Sequence, residues 1–105
     1  MSLIHCTDEN FKKTIEAKGK KAVVDFWAEW CSPCRMFGPV FEKTAEGYES
    51  DDVIFCKVNV DEARETAAEH GIMSIPTVAV FENGRLVRQK VGVMNEKALH
   101  EFIQG

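Results

Sequence analysis

Two cysteines separated by two residues carry the most evident chemistry in the chain. Cys31 and Cys34 lie in the segment Trp30-Cys31-Ser32-Pro33-Cys34, between an apolar run and a helical pattern. At the first turn of a helix, unpaired backbone amides and the helix dipole stabilise a thiolate, and this favours Cys31 as the more reactive thiol. Cys34 follows one turn later on the same face. The spacing therefore predicts a dithiol in which Cys31 attacks a disulfide and Cys34 resolves the mixed disulfide.

A zinc site or an inert pair of cysteines is the alternative to this redox interpretation. A structural zinc site needs four ligands, which usually come from two cysteine-rich knuckles, and the chain has no second C-x-x-C pair. His70 and His100 lack ligand spacing relative to the motif. We therefore expect no metal, and we expect the other two cysteines, Cys6 and Cys56, to lie in the core.

A carboxylate stands in the middle of an apolar run at residues 22–28. Burying the charge of Asp25 there is costly, so the residue is either a functional acid or base or it lies at a bulge or strand edge. The functional interpretation makes it a buried general base or acid near Cys34, whose proton must leave before it can attack. Lys57 interrupts a later apolar run and would lie near Asp25 if the two strands pair. The alternative for Lys57 is an amine that reaches solvent.

Hydrophobic periodicity predicts five strands and four helices that position these residues. The predicted order is β-α-β-α-β-α-β-β-α, with strands at 3–6, 22–28, 53–60, 77–82 and 85–91, and helices beginning near residues 8, 32, 61 and 95. The first three strands should be parallel with right-handed crossovers, and Asn83-Gly84 predicts a final hairpin. Helices on both faces give an α/β three-layer domain.

Helix starts are marked by residues that cap backbone amides. The first helix is predicted to be capped by Thr7 or Asp8, and the third by Asp61. Pro33 suits the start of the second helix, since its missing N–H leaves no donor unsatisfied there.

Length and charge exclude several classes of protein. The 105 residues correspond to a single domain over residues 1–105, and 13 basic against 17 acidic side chains give a net charge of −4. We expect no nucleic-acid partner, because an acidic domain without a basic stripe lacks the required electrostatic surface. No apolar run has the length of a membrane span, and the first residues lack the pattern of a signal peptide. We therefore expect a cytoplasmic protein that does not bind membranes.

The sequence around the two cysteines resembles the active-site block of the thioredoxin family. This block is Asp25-Phe26-Trp27-Ala28-Glu29-Trp30-Cys31 with Pro33-Cys34 and an interior Pro39. The resemblance continues over essentially the whole chain at Asn59-Val60-Asp61, Gly71-Ile72, Ile75-Pro76-Thr77, Phe81, Asn83-Gly84 and Val91-Gly92. It implies a thioredoxin fold, with a five-stranded mixed sheet in the order 1-3-2-4-5 and four helices.

The resemblance also implies a role for each site residue. Cys31 would be the nucleophile, Cys34 the resolving thiol and Asp25 its proton acceptor, with Lys57 modulating that carboxylate. A shallow apolar groove would bind the substrate backbone beside a cis peptide bond; its residues would be Trp30, Ile75, Pro76 and Gly92. Because a cis proline lacks an N–H and exposes neighbouring backbone, it suits strand-like pairing with a peptide.

The family further implies protein disulfides as substrates and no bound cofactor. Electrons would come from NADPH through a flavoprotein thioredoxin reductase, and we expect a monomer that contacts this reductase and disulfide-containing target proteins. The motif departs from the family pattern at Ser32, where glycine is usual. Since the residues between the cysteines, Ser32 and Pro33, tune the reduction potential, Ser32 leaves open how reducing the protein is.

Three functions remain open at this point. The first is a reductase of protein disulfides that is recycled by a reductase. The second is a more oxidising disulfide oxidant or isomerase of the same fold. The third is a partner-binding module with incidental redox activity, which the presence of a nucleophile, a resolving thiol and a buried acid disfavours.

Overall fold

Strands and helices alternate along the chain much as its hydrophobic pattern predicts. The computed structural model describes residues 3–17 and 19–105. Its elements are β1 (Leu3–Cys6), α1 (Phe11–Ile15), β2 (Lys21–Trp27), α2 (Ser32–Gly47), β3 (Val53–Asn59), α3 (Arg64–Glu69), β4 (Thr77–Glu82), β5 (Arg85–Val91) and α4 (Glu96–Gln104). Within these ranges, no helix is long and apolar enough to cross a bilayer.

The strands form one mixed sheet in the order β1-β3-β2-β4-β5. β3 runs parallel to both β1 and β2, whereas β4 is antiparallel to β2 and β5 is antiparallel to β4. The order implied by the family resemblance is therefore confirmed. β2 lies at the centre and its middle residues are buried, which places both Asp25 and the segment leading to the cysteines in the interior.

Helices cover both faces of the sheet and divide the core in two. Val24 packs with Phe11 of α1 on one face, where the start of α3 also contributes. Val23 packs with Phe41 of α2 on the other face, which α4 completes. Because side chains alternate along a strand, Asp25 shares the α2 face with Val23. The predicted three-layer α/β/α arrangement is confirmed.

The hairpin between β4 and β5 follows from local sequence. Asn83 has a φ of 53° and Gly84 a φ of 82°, so both central residues are left-handed. A two-residue turn of this type matches the twist of the flanking strands, and it favours Asn followed by Gly. The predicted hairpin is confirmed.

The start of α1 differs from its prediction, because neither Thr7 nor Asp8 caps it. The helix begins at Phe11, after a turn in which the Asn10 Oδ1 accepts a hydrogen bond from the Thr7 N–H at 2.7 Å. This turn occupies the residues that the periodicity assigned to the first helical turn.

The start of α3 is also displaced from its prediction. The helix begins at Arg64 rather than at Asp61. Its cap comes from a distant segment, since the Asp8 Oδ1 accepts hydrogen bonds from the Thr66 N–H at 2.8 Å and from the Thr66 hydroxyl at 2.7 Å. These bonds hold the pKa of Asp8 below its usual value.

Candidate active site between the second strand and the second helix

Cys31 occupies the N-cap position of α2. Its backbone is extended, with φ −95° and ψ 108°, and its Sγ accepts a hydrogen bond of 3.2 Å from the Cys34 N–H. The sulfur thus takes the place of the side-chain oxygen that usually caps a helix. In the reduced protein, this amide and the helix dipole would favour a thiolate at Cys31.

Cys31 and Cys34 are joined by a disulfide that is almost covered by the protein. Their Cα atoms are 5.2 Å apart. Cys31 is 5% exposed and Cys34 is 2% exposed, and both pack against Ala28. Both residues are therefore buried, and Cys31 is slightly the more exposed of the two.

The segment before β4 faces this disulfide. The Ile75–Pro76 peptide bond is cis, and the Ile75 carbonyl oxygen lies 3.7 Å from the Cys31 Sγ. The Gly92 N–H donates a hydrogen bond of 2.8 Å to the Pro76 carbonyl. Gly92 has a φ of 111°, a conformation that side-chain-bearing residues rarely adopt. The structure therefore brings Ile75, Pro76 and Gly92 together beside Cys31.

Two large apolar side chains are exposed in the segments that carry Cys31 and Ile75. Trp30 is 69% exposed, and its indole N–H donates a hydrogen bond of 2.7 Å to the Asp61 Oδ2. Met73, two residues before Ile75, is 94% exposed and was not predicted as a surface residue. A single apolar residue in a loop carries no pattern that separates the surface from the core, so the sequence held no signal for it.

Asp25 is completely buried. It lies opposite Lys57 of β3 and Val78 of β4 in the sheet. Among the described residues, neither of its carboxylate oxygens has a hydrogen-bond partner. The bulge or strand edge that was the alternative does not occur at Asp25, since the pairing is regular on both sides.

Burial controls the protonation of this carboxyl group. Desolvation raises the pKa of Asp25 to about 7; the charge of Lys57 opposes that rise, and the charge of Glu42 adds to it. A carboxyl group with a pKa near neutrality can both accept and return a proton at physiological pH. Asp25 therefore has the properties of an acid–base group.

Lys57 is buried rather than extended to solvent. Its side chain is 8% exposed, and its Nζ lies 3.1 Å from the Glu42 Oε2 and 4.7 Å from the centre of the Trp27 ring. Glu42 was not predicted as a site residue, because a glutamate on the outer side of a helix is ordinary. Only the packing of α2 on β3 brings it to Lys57.

The two residues between the cysteines lie at the surface. Ser32 and Pro33 are exposed and form the first two positions of α2, as predicted. Both therefore lie in the exposed turn that links the two cysteines.

The other two cysteines lie away from the motif. Cys6 and Cys56 are free thiols in the core on the α1 face of the sheet. Within residues 3–17 and 19–105, no group of three or more His, Cys, Asp or Glu side chains is arranged to hold a metal ion.

Known proteins resemble this chain over nearly its full length. The thioredoxin family model matches residues 2–105. The chain is 48% identical to the thioredoxin of Alicyclobacillus acidocaldarius over 93 residues, covering 89% of this chain and 87% of that protein. It is 49% identical over 88 residues to thioredoxin 2 of Chlorobaculum tepidum, covering 84% and 80% of the two chains. It is 43% identical over 97 residues to the thioredoxin of Rickettsia bellii, covering 92% and 91%. The chain thus belongs to the thioredoxin family and is a thiol–disulfide oxidoreductase of the protein-disulfide reductase type.

Proposed function

We propose that Cys31 is the nucleophile that attacks protein disulfides and that Cys34 resolves the resulting mixed disulfide. The observation that carries this assignment is the asymmetry of the pair at the start of α2. The Cys31 sulfur accepts a hydrogen bond from the Cys34 N–H at the N-cap, whereas the Cys34 sulfur has no such position, and Cys31 is slightly the more exposed residue. A thiolate stabilised by a helix N-terminus is the form that attacks a disulfide.

The exchange proceeds in two steps that conserve electrons. In the first, the Cys31 thiolate attacks one sulfur of the target disulfide, forms a mixed disulfide and releases one target thiolate. In the second, the Cys34 thiolate attacks the Cys31 sulfur and releases the second target thiolate. Two electrons pass to the target, and the protein is left with the Cys31–Cys34 disulfide.

Asp25 accepts the proton that Cys34 must lose before the second step. The carboxyl group is buried on the α2 face of the sheet, the face on which the cysteine-bearing helix packs. Its pKa of about 7 leaves a substantial fraction ionised at neutral pH, so it can act as a base there. The proton returns to the released thiolates or to solvent, and Lys57 modulates the charge of this carboxylate.

The target chain docks along the surface around the disulfide. Trp30 and Ile75 supply apolar contacts, and the backbone next to the Pro76–Gly92 hydrogen bond, which includes the Ile75 carbonyl, offers polar groups for strand-like pairing. The exposure of Trp30 and the position of Ile75 beside the Cys31 sulfur support this assignment.

Recycling requires an external source of two electrons. We assign this to NADPH acting through a flavoprotein thioredoxin reductase, with no cofactor bound to the chain itself. The protein would act as a monomer in the cytoplasm, as a single domain over residues 1–105. The membership in the thioredoxin family supports these assignments.

Trapping of mixed disulfides tests the roles of the two thiols. The Cys34→Ser variant should accumulate mixed disulfides between Cys31 and a protein with an exposed disulfide, since no thiol remains to resolve them. The matched Cys31→Ser variant should accumulate none. Equal trapping by both variants, or equal alkylation rates of the two thiols near neutral pH, would contradict the assignment.

Turnover tests the reductase function against the alternatives. With NADPH and a thioredoxin reductase, the protein should reduce a disulfide-containing protein catalytically. Absence of turnover with chemically reduced protein would favour the partner-binding module. Equilibration of the Cys31–Cys34 pair against a glutathione buffer separates the reductase from the oxidant, because an oxidant has a markedly higher potential.

A further inference from the structure

Three charged side chains, one from each of β2, β3 and α2, lie near one another where α2 packs on the sheet. Asp25 of β2 and Lys57 of β3 are directly opposite each other in register, and Glu42 of α2 forms an ion pair with Lys57. The Lys57 ammonium pairs with Glu42, not with Asp25, whose oxygens have no hydrogen-bond partner among the described residues. Lys57 is therefore paired with the partly exposed carboxylate of Glu42 and not with the buried carboxylate of Asp25.

The position of the ammonium is further defined by its surroundings. It lies over the Trp27 ring, whose negative face attracts a cation. Gly38 of α2 lies beside it, since a Cβ at this position would stand 3.4 Å from the Lys57 Nζ, at the limit of ordinary contact. Glu42, the Trp27 ring and Gly38 thus define one place for the Lys57 ammonium.

A second place for the ammonium lies within reach. Neighbouring strands are about 4.8 Å apart, and residues in register project to the same face, so the flexible lysine stem can turn toward Asp25. Paired there, Lys57 would stabilise the ionised carboxylate through a direct hydrogen bond and a close opposite charge. Glu42 and Asp25 therefore compete for one cation.

We propose that Glu42 is a positioning residue for the exchange reaction, because it draws the Lys57 ammonium away from Asp25 and so keeps that carboxyl group protonatable at neutral pH. This inference rests on the proposed role of Asp25 as proton acceptor. It adds a residue that has no contact with the disulfide and whose effect on Asp25 comes mainly through Lys57, beyond the smaller direct effect of the Glu42 charge.

Few charged groups surround Asp25, so the competition between Asp25 and Glu42 for Lys57 can be followed through the titration of Asp25. Lys57 faces it from β3 and Glu42 from α2, whereas its neighbour on β4 is Val78, which is apolar. Cys31 and Cys34 also lie at the start of α2, but they do not titrate while they form the disulfide. The oxidised protein thus isolates the titration of Asp25 from that of the thiols.

The first measurement is the titration of Asp25 by NMR of its side-chain carboxyl carbon in the oxidised protein. In Glu42→Gln, Lys57 loses its carboxylate partner and keeps at most a neutral amide acceptor, so pairing with Asp25 is favoured and the titration midpoint should fall by about 1 pH unit. Glu46→Gln is the matched control, since it removes one exposed carboxylate one turn further along α2. Equal midpoints in the two variants would overturn the proposal.

A second variant separates positioning from the direct field of the Glu42 charge. In a Lys57→Met background, Glu42→Gln has no ammonium to release, so its effect on the Asp25 midpoint should fall to a small fraction of the effect with Lys57 present. An effect of the same size in both backgrounds would show that Glu42 acts on Asp25 directly, and the positioning role would be wrong.

Kinetics then connect this competition to the reaction. Resolution of the mixed disulfide should slow at acid pH as Asp25 becomes protonated, and in Glu42→Gln this decline should begin at a lower pH. If the Asp25 midpoint moves from 7 to 6, the ionised fraction of Asp25, and with it the rate of resolution, should be about five-fold higher at pH 6. If the NMR midpoint moves but the pH profile does not, Glu42 positions Lys57 while Asp25 is not the proton acceptor. That result would reject the proposed role of Asp25 and the catalytic part of this inference, but not the competition itself.

Discussion

The Trp30 indole N–H donates a hydrogen bond of 2.7 Å to the Asp61 carboxylate, and this bond joins the residue before Cys31 to the loop after β3. The ring remains 69% exposed, so the bond fixes its direction without covering it. A large apolar surface held in one orientation binds a partner with less loss of side-chain freedom than a mobile one. On the proposed function, the bond orients the apolar surface next to Cys31 before a target chain binds.

Removing this bond should weaken target binding more than chemistry. In Asp61→Ala the Trp30 ring is free to move, and we expect KM for a protein disulfide to rise about two- to five-fold, since an exposed bond of this kind contributes roughly 1 kcal/mol or less. The kcat should change little. Asp61→Asn, which retains an acceptor oxygen, is the control and should show a smaller rise; an equal rise in both variants would contradict the role of the bond.

Asp25 should destabilise the folded protein in a pH-dependent way. Its pKa is about 7 in the folded protein against 3.8 as the ordinary value. Below about pH 3.8 the carboxyl group is protonated in both folded and unfolded chains, so it carries no charge penalty. As the pH rises toward 7, the unfolded chain releases this proton first, so the wild-type protein loses stability and then levels off above that pH.

Asp25→Ala should therefore be more stable than the wild type at neutral pH, by more than about 1 kcal/mol, and should exchange disulfides more slowly. This gain should shrink as the pH falls toward 4, where only the cost of the small cavity remains. Urea midpoints measured across this range check the prediction, with Asp25→Asn as a control that keeps the side-chain volume. A lower midpoint for Asp25→Ala at pH 7 would indicate that the wild-type carboxylate has a partner.

Most features decided by neighbouring residues were accessible from sequence, and most features decided by contacts between distant segments were not. Asn83-Gly84 predicted its hairpin, and the position of Cys31 at the start of α2 followed from the adjoining strand and helix patterns. The predicted cap of α3 was wrong, because the residue that caps this helix is Asp8, which lies 58 positions from its partner Thr66. The predicted cap of α1 was wrong for a local reason, since a turn closed by Thr7 and Asn10 precedes the helix. Local capping preference is a weak guide where tertiary contacts supply the hydrogen bonds.

At the candidate site, too, the sequence predicted some features and not others. The anomaly of Asp25 in an apolar run was visible in sequence, and so was its expected proximity to Lys57, since both interrupt strands of one sheet. The partner of Lys57 was not, because Glu42 has the pattern of an ordinary solvent-exposed helix residue. Which carboxylate holds the lysine depends on how α2 lies across β3, and periodicity does not determine that.

The buried cysteines should be protected from reagents in the native protein. Cys6 is 6% exposed and Cys56 is fully buried, so iodoacetamide should modify both far more slowly in the native oxidised protein at neutral pH than after unfolding. Hydrogen bonding to Cys56 lowers the pKa of Cys6 to about 7, whereas the same contact and burial raise the pKa of Cys56. Cys6 also lies on the edge strand β1.

Slow modification of the folded protein should therefore reach Cys6 first, because local opening of an edge strand precedes global unfolding. Mass spectrometry of partially alkylated protein distinguishes the two sites, and Cys6→Ala should abolish the early product. Modification of Cys56 before Cys6, or at the rate of an exposed thiol, would contradict this order.

Ser32 should make the dithiol slightly more oxidising than a glycine would. At the first position of α2 its hydroxyl can donate a hydrogen bond to the Cys31 thiolate, which exists only in the reduced form. A bond to a charged group contributes roughly 1.5–3 kcal/mol, and exposure to water should leave about half of that. Helix propensity also differs between serine and glycine, but it affects the oxidised and reduced forms alike and largely cancels.

Ser32→Gly should therefore lower the reduction potential by tens of millivolts at most, since about 30 mV corresponds to 1.4 kcal/mol for a two-electron couple. The pKa of Cys31 should rise in the same variant, because the thiolate loses a donor. Ser32→Ala, which removes the hydroxyl but retains the Cβ, should reproduce both changes if the hydrogen bond is their cause. A lower potential with an unchanged pKa of Cys31 would assign the effect of Ser32 to the backbone of α2 rather than to its hydroxyl.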